Sequence, residues 1–272
     1  MTVDAPAPRN GSRRLILQLG IVLLLVIAAI VVVVVVVSNN HAAAKHPVTS
    51  SAASPKNMAS YGVLLTGSGG NIVTSRTPAV TIGHPVPTDT AKHATTVNIV
   101  EYVDYQCPYC LAFEEANLNN TAALVAAGTA TLEIHPIAFL DASSEGTRYS
   151  SRADNAAACV ANFDPDEFLS VTAALYEGQP KEGTPGLTNK QILSVLAKAD
   201  VSEPSITKCV NSETYRTWVS ATTAAVENGT FQHVAKSPIT FPGTPTVFVN
   251  GIQYTGSITD AKAFSAFVAA ES

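Results

Sequence analysis

The chain has 272 residues, of which 14% are charged, and its formal net charge at neutral pH is −5. This length allows one large domain or two small ones. The weakly acidic balance, without a basic tract, argues against a nucleic-acid-binding protein.

The first predicted element is an apolar segment, residues 15–37, interrupted only by Gln18 and Gly20. As a helix it would reach roughly 34 Å, enough to cross a hydrocarbon core about 30 Å thick. A cleaved signal peptide is the alternative, because residues 42–44 are small alanines suited to cleavage. The apolar stretch is longer than signal peptides use, so we predict an uncleaved transmembrane signal anchor.

Basic residues predict the orientation of this segment. Arg9, Arg13 and Arg14 precede it, whereas the nearest positive residue after it is Lys45. Because positive flanks tend to remain in the cytoplasm, residues 1–14 are expected there. The rest of the chain is expected outside, as a single-pass protein of the cell membrane with an extracytoplasmic C-terminal domain.

Residues 38–78 are predicted to form an extracytoplasmic tether. Their first half mixes Ser, Asn, Ala, Pro and His without periodicity, which is typical of a flexible linker. Further on, residues 61–65 and 71–74 flank a glycine-rich turn and could form a short hairpin. The folded domain is predicted to span residues 79–272 and to begin with a short strand over residues 79–82.

A strand–helix–strand unit is predicted next. Residues 97–103 are typical of a strand, a helix is expected from Pro108 to about residue 127, and residues 130–137 form the second strand. Gly128 ends the helix. Two strands joined by a helical crossover are parallel, so the unit predicts a parallel pair.

From about residue 146 to residue 231 the apolar periodicity becomes helical, with Asp164 and Thr188 as predicted caps. Residues 246–255 then form two strands around an Asn-Gly turn. The predicted helices cover residues 148–163, 166–177, 189–199, 202–228 and, at the end of the chain, 259–270. This order predicts an α/β domain with helices inserted in its middle.

The chemistry is concentrated in Cys107-Pro108-Tyr109-Cys110, at the start of the first predicted helix. Pro108 suits the first helical position, and the free amides of the helix end stabilise a thiolate at Cys107. We expect Cys107 to be exposed and reactive, and Cys110 to lie one turn inward as the resolving thiol. A zinc site is disfavoured, since it needs about four ligands and no second Cys or His pair stands at ligand spacing.

Three carboxylates lie near this motif in the sequence. Alternation places Glu101 on the strand face of Ile99 and Val103, where burial would raise its pKa. Glu114 and Glu115 follow on the helix and are expected to be solvated, so that screening weakens their effect on the thiols.

The dithiol helix, together with Gly243-Thr244-Pro245-Thr246 and the strand that follows, resembles the thioredoxin fold. The helical insertion, about residues 146–231, resembles its DsbA-like branch. The resemblance implies that the Thr244–Pro245 bond is cis and faces the dithiol, with the Thr244 backbone pairing with an extended substrate. It also implies that Pro108 and Tyr109 contact substrate, and that Glu101 accepts a proton from Cys110. Tyr109 stands where many strong oxidants of this branch carry His.

The resemblance further implies an extracytoplasmic thiol:disulfide oxidoreductase that oxidises cysteine pairs in exported proteins through the Cys107–Cys110 pair. Reoxidation would fall to a membrane partner, DsbB-like or vitamin K epoxide reductase-like, and no cofactor is implied. Two alternatives stay open at this stage: a reductase or isomerase of the same fold, as in cytochrome maturation, and a non-catalytic tethered binding or chaperone module.

Cys159 and Cys209 remain within the helical block. A structural disulfide between them is the first interpretation, and a second redox relay is the alternative. DsbA-like proteins of mycobacteria and related actinobacteria carry such an extra pair.

Overall fold

The computed structural model describes residues 53–93, 96–232 and 239–271. The predicted membrane segment, residues 15–37, and most of the predicted tether lie outside these ranges. Among the described residues no helix combines the length and apolar character needed to cross a membrane.

A mixed six-stranded sheet forms the centre of the fold, in the order β2-β1-β4-β3-β5-β6. In chain order the strands are β1 (Val63–Ser68), β2 (Asn71–Thr74), β3 (Val97–Val103), β4 (Ala130–Pro136), β5 (Thr246–Val249) and β6 (Ile252–Gln253). The parallel pairing predicted for the strand–helix–strand unit is confirmed, because β3 and β4 run parallel. β5 pairs antiparallel with the other side of β3, and Asn250 and Gly251, both with positive φ, form the predicted turn to β6.

Seven α-helices surround this sheet in the described part of the chain. They are α1 (Pro108–Ala126), α2 (Tyr149–Phe163), α3 (Phe168–Glu177), α4 (Asn189–Lys198), α5 (Pro204–Asn211), α6 (Arg216–Glu227) and α7 (Ala261–Ala270). Helix α1 connects β3 to β4, α2 to α6 form the predicted insertion, and α7 closes the chain. The mixed α/β thioredoxin-like fold with a helical insertion is therefore confirmed.

The predicted start of the domain at residue 79 is wrong. The hairpin β1–β2 is not part of a tether, because β1 pairs antiparallel with β4 through Val63 and Leu65. Both side chains are buried in the core, and Met58, five residues earlier, is fully buried as well. The apolar run at the start of β1 packs into the core and β2 forms the edge of the sheet, so the folded domain includes this hairpin. The strand expected over residues 79–82 is reduced to one bridge between Ala53 and Thr81.

The single helix predicted over residues 202–228 is in fact two helices, α5 and α6. Glu213, at a φ of 46°, lies in the turn that separates them. Of the two predicted caps, Thr188 accepts a hydrogen bond from the Gln191 amide in a capping box, which begins α4. Asp164 makes no side-chain cap.

The central strand β3 is buried on both faces. Ile99 and Val103 belong to the main core, whereas Val100 and Tyr102 belong to a smaller cluster on the opposite face. Glu101 lies on the strand face of Ile99 and Val103, as the alternation predicts, and its side chain is buried.

Candidate active site

The pairing of β3 with β5 brings two distant loops together. Tyr102, near the end of β3, is in register with Thr246 at the start of β5. The chain leaving β3 leads to Cys107, and the chain entering β5 passes through Thr244 and Pro245, whose peptide bond is cis. As a result, the Cys107 Sγ lies 3.2 Å from the carbonyl oxygen of Thr244, although 137 residues separate them.

Cys107 is the N-cap of α1, and Pro108 occupies the first turn without needing a hydrogen-bond acceptor. Both Cys107 and Cys110 are free thiols. The pKa of Cys107 is lowered to about 6, first by a hydrogen bond from the Cys110 thiol, and further by the Thr244 side chain and the amides of Cys110 and Tyr109. Burial acts in the opposite direction but does not prevail. Cys107 is therefore mostly thiolate at neutral pH.

The expectation that Cys107 is exposed is wrong, because only 3% of its surface is accessible. The Thr244 loop lies against its sulfur, and the side-chain amide of Gln179 donates to its carbonyl oxygen at 3.0 Å. Pro108 and Tyr109 are exposed, and Tyr109 keeps 65% of its surface accessible. An approaching chain would therefore meet these two side chains around a sulfur that is itself recessed.

Cys110 differs from its partner in ionisation. It is fully buried, and burial together with the neighbouring Cys107 raises its pKa well above the ordinary value. At neutral pH the reduced site therefore holds one thiolate, at Cys107, and one thiol, at Cys110.

Two carboxyl groups are buried on the core side of the site. Glu114, which we expected to be solvated, is 6% exposed, because α1 turns this face toward β3. There it shares a hydrogen bond with Glu101, and burial raises the pKa of both groups, that of Glu114 to about 7. The acid predicted to serve Cys110 is thus hydrogen-bonded to a second acid.

Asp104 is a site residue that the sequence analysis missed. It is fully buried, and burial raises its pKa to about 7, partly opposed by three hydrogen bonds to its carboxylate. The donors are the Gln106 amide at 2.7 Å, the Leu140 amide at 2.8 Å and the Ser150 hydroxyl at 2.7 Å. A carboxylate three residues before Cys107 was the available signal, but two of the three donors that fix it, Leu140 and Ser150, come from distant parts of the chain.

Cys159 and Cys209 form a disulfide that joins α2 to α5, with a Cα–Cα distance of 5.9 Å. Both residues are buried, with 0% and 4% of their surface accessible. The bond ties two helices of the insertion together and one of its sulfurs belongs to a fully buried residue, which agrees with the structural interpretation.

A family model and several solved structures are similar to this chain. The model of a family described as thioredoxin matches residues 90–270. The reduced form of a disulfide bond oxidoreductase (DsbG) from Mycobacterium tuberculosis shares 29% identity at a TM-score of 0.51, over 63% of this chain and 76% of that one. Oxidised DsbA from the same organism shares 26% identity at a TM-score of 0.52, over 77% of this chain and all of that one (100%).

A curated relative gives a more partial match. The serine/threonine-protein kinase PknE of Mycobacterium tuberculosis is 31% identical over 121 residues, which is 43% of this chain. The chain spans only 21% of the length of that kinase.

Proposed function

The chain belongs to the thioredoxin family, and on this premise we propose that it is a DsbA-like thiol:disulfide oxidoreductase that oxidises cysteine pairs in exported proteins. The low pKa of Cys107, beside the Thr244–Pro245 loop, is the observation that carries this proposal. A thiolate that is stable at neutral pH is a good leaving group, and its stability favours the reduced form of the enzyme. Such a site draws electrons from its substrates.

In the proposed reaction a substrate thiolate attacks Cys107 of the disulfide, and the Cys107–Cys110 bond breaks. The sulfur of Cys110 takes up a proton as it leaves, because its pKa is well above the ordinary value. A second substrate thiol then attacks the mixed disulfide, forms the substrate disulfide and releases Cys107 as a thiolate. The two electrons of the substrate dithiol thus end on the Cys107–Cys110 pair.

Substrate positioning is assigned to the residues around the sulfur. In the thiol form Cys107 donates to the Thr244 carbonyl oxygen, and this bond is lost once the sulfur is ionised or oxidised. The carbonyl is then free to accept a hydrogen bond from an extended substrate backbone, with Pro245 fixing its direction. Exposed Pro108 and Tyr109 would contact the substrate side chains.

The cellular setting belongs to the same proposal. Residues 15–37 would anchor the domain in the cell membrane with residues 1–14 in the cytoplasm, and the buried Cys159–Cys209 bond suits an oxidising, extracytoplasmic compartment. Reoxidation would come from a DsbB-like or vitamin K epoxide reductase-like membrane protein.

The test is the oxidative refolding of a reduced protein whose native state contains disulfides. The catalyst is the folded domain of this chain in its oxidised form. We expect rapid recovery of the substrate, and loss of that recovery in Cys107→Ser with folding retained. Equal activity of the folded Cys107→Ser variant would show that the cysteine pair is not catalytic, as the binding-module alternative requires. A reduction potential near that of thioredoxin, about −270 mV, would instead favour a reductase.

A further inference from the structure

The main chain of Asp104 contacts both cysteines of the site. Its carbonyl oxygen accepts a hydrogen bond from the Cys107 amide at 3.0 Å, and its own amide donates to the sulfur of Cys110. The carboxylate of the same residue is fully buried and is fixed by three donors, which include Ser150 of helix α2 and Leu140. Asp104 is therefore fixed beside the dithiol through its main chain, and its carboxylate is held in place by its own donors.

Several titratable groups face this carboxylate from the elements packed around it. Cys107 and Cys110 belong to the start of α1, Tyr149 and Asp154 to α2, and Tyr176 to α3. Burial raises the pKa of both tyrosines and of Asp154 and so disfavours a negative charge on each of them. The charge that changes during the reaction is that of Cys107, which becomes negative when the disulfide is reduced.

The proton balance of the proposed reaction leaves one proton unplaced. A substrate dithiol gives up two electrons and two protons as its disulfide forms. The enzyme disulfide takes both electrons but only one proton, because Cys110 becomes a thiol and Cys107 a thiolate. The second proton must go to solvent or to another group of the enzyme.

We propose that Asp104 is the redox-linked proton acceptor of this site, which takes up the second substrate proton when the disulfide is reduced and releases it when the disulfide forms again. The inference rests on the proposed function and deepens it. Burial is the largest cause that raises the pKa of Asp104, and the new negative charge at Cys107 raises it further when the disulfide is reduced, because like charges beside each other are unfavourable. The three donors keep the carboxylate satisfied in the oxidised protein, where that thiolate is absent.

Equilibrium with glutathione, followed from pH 6 to pH 7, measures the number of protons. Reduction of oxidised glutathione consumes two protons for two electrons. If the enzyme also takes up two protons, the equilibrium constant for reduction of the oxidised enzyme by glutathione is independent of pH. If it takes up one, the constant rises up to tenfold for each pH unit. We expect near constancy in the unmodified protein, and a rise of about fivefold to tenfold in Asp104→Asn.

Two variants act as controls. Glu115→Gln removes an exposed acid from helix α1 and should leave the constancy intact. Glu101→Gln removes the acid that sequence reasoning favoured. If Glu101→Gln introduces the pH dependence and Asp104→Asn does not, the assignment to Asp104 is overturned. A pH-dependent constant in the unmodified protein would overturn it as well.

If Asp104→Asn fails to fold, Ser150→Ala provides a second test of the role of Asp104. Loss of this donor raises the pKa of Asp104, so the pH range of constant equilibrium should move upward. Redox-difference infrared spectra of the unmodified protein should also show a carboxylic acid band appearing on reduction, and its absence would count against any carboxyl acceptor.

These measurements are separable from the test of function. The glutathione equilibrium concerns only the Cys107–Cys110 pair and requires no protein substrate. An enzyme that fails to refold reduced proteins but keeps a pH-independent equilibrium would refute the proposed function and leave the role of Asp104 standing.

Discussion

Replacing Cys110 by Ala and by Ser tests what holds Cys107 ionised. The largest contribution to the low pKa of Cys107 is the hydrogen bond that the Cys110 thiol donates to it. Alanine removes this donor, whereas serine replaces it with a hydroxyl that can donate in the same direction. The pair therefore separates the hydrogen bond from the rest of the site.

The magnitude follows from the charge on the acceptor. A hydrogen bond to a charged group is worth about 1.5–3 kcal/mol, and one pKa unit corresponds to about 1.36 kcal/mol. The pKa of Cys107, about 6 in the unmodified protein, should therefore rise by about one to two units in Cys110→Ala. It should stay below that of free cysteine, about 8.5, because the amides of Tyr109 and residue 110 still point at the sulfur.

Thiolate absorbance measured against pH checks this directly, because each variant retains a single free thiol once the Cys159–Cys209 bond is intact. At pH 6 the alkylation rate of Cys110→Ala should be lower than that of Cys110→Ser by about fivefold to fiftyfold, in proportion to the thiolate fraction. Identical titration curves for the two variants would show that the thiol donor does not matter. Two curves at the pKa of free cysteine would refute the contribution of the helix amides.

Two further predictions concern stability. Replacing both Cys159 and Cys209 by Ser opens a loop with a sequence separation of 50. In the chain-entropy model this lowers the free energy of unfolding by about 4 kcal/mol, which urea denaturation measures. The titration of Cys107 should stay the same, and a shift of that titration would contradict a purely structural bond. For Glu114 the folded pKa, about 7, lies above its ordinary value, so its contribution to stability is lost as pH rises through about 7. Glu114→Gln should therefore reduce the loss of stability between pH 5 and pH 8, whereas Glu115→Gln, the control at an exposed site, should not. An unchanged pH dependence in Glu114→Gln would show that ionisation of the buried Glu114 carboxyl does not destabilise the fold.

Local sequence patterns were sufficient for several features whose cause is itself local. The position of Cys107 at a helix N-terminus follows from Pro108 and the helical periodicity that comes after it. The turn at Asn250 and Gly251 and the capping box at Thr188 likewise depend on residues within three positions of each other. The parallel pairing of β3 and β4 follows from the crossover connection between them.

Other features depended on contacts that no local pattern encodes. From the sequence, Glu114 was predicted to be solvated and the tether to end at residue 78. In the structure α1 turns Glu114 against β3, and β1 pairs with the free edge of β4. Asp104 could be identified as a site residue only from the structure, because two of the donors to its carboxylate, Leu140 and Ser150, are distant in the sequence.

The sequence by itself determined the chemistry of the site, namely two cysteines one turn apart at the start of a helix. The tertiary structure decided how each ionisable group near them is solvated, and so which of them can hold a charge. Backbone conformation and side-chain periodicity are set over a few residues. The desolvation that moves the pKa values of Cys110, Glu114 and Asp104 depends on everything packed around each group, and most of that comes from distant parts of the chain.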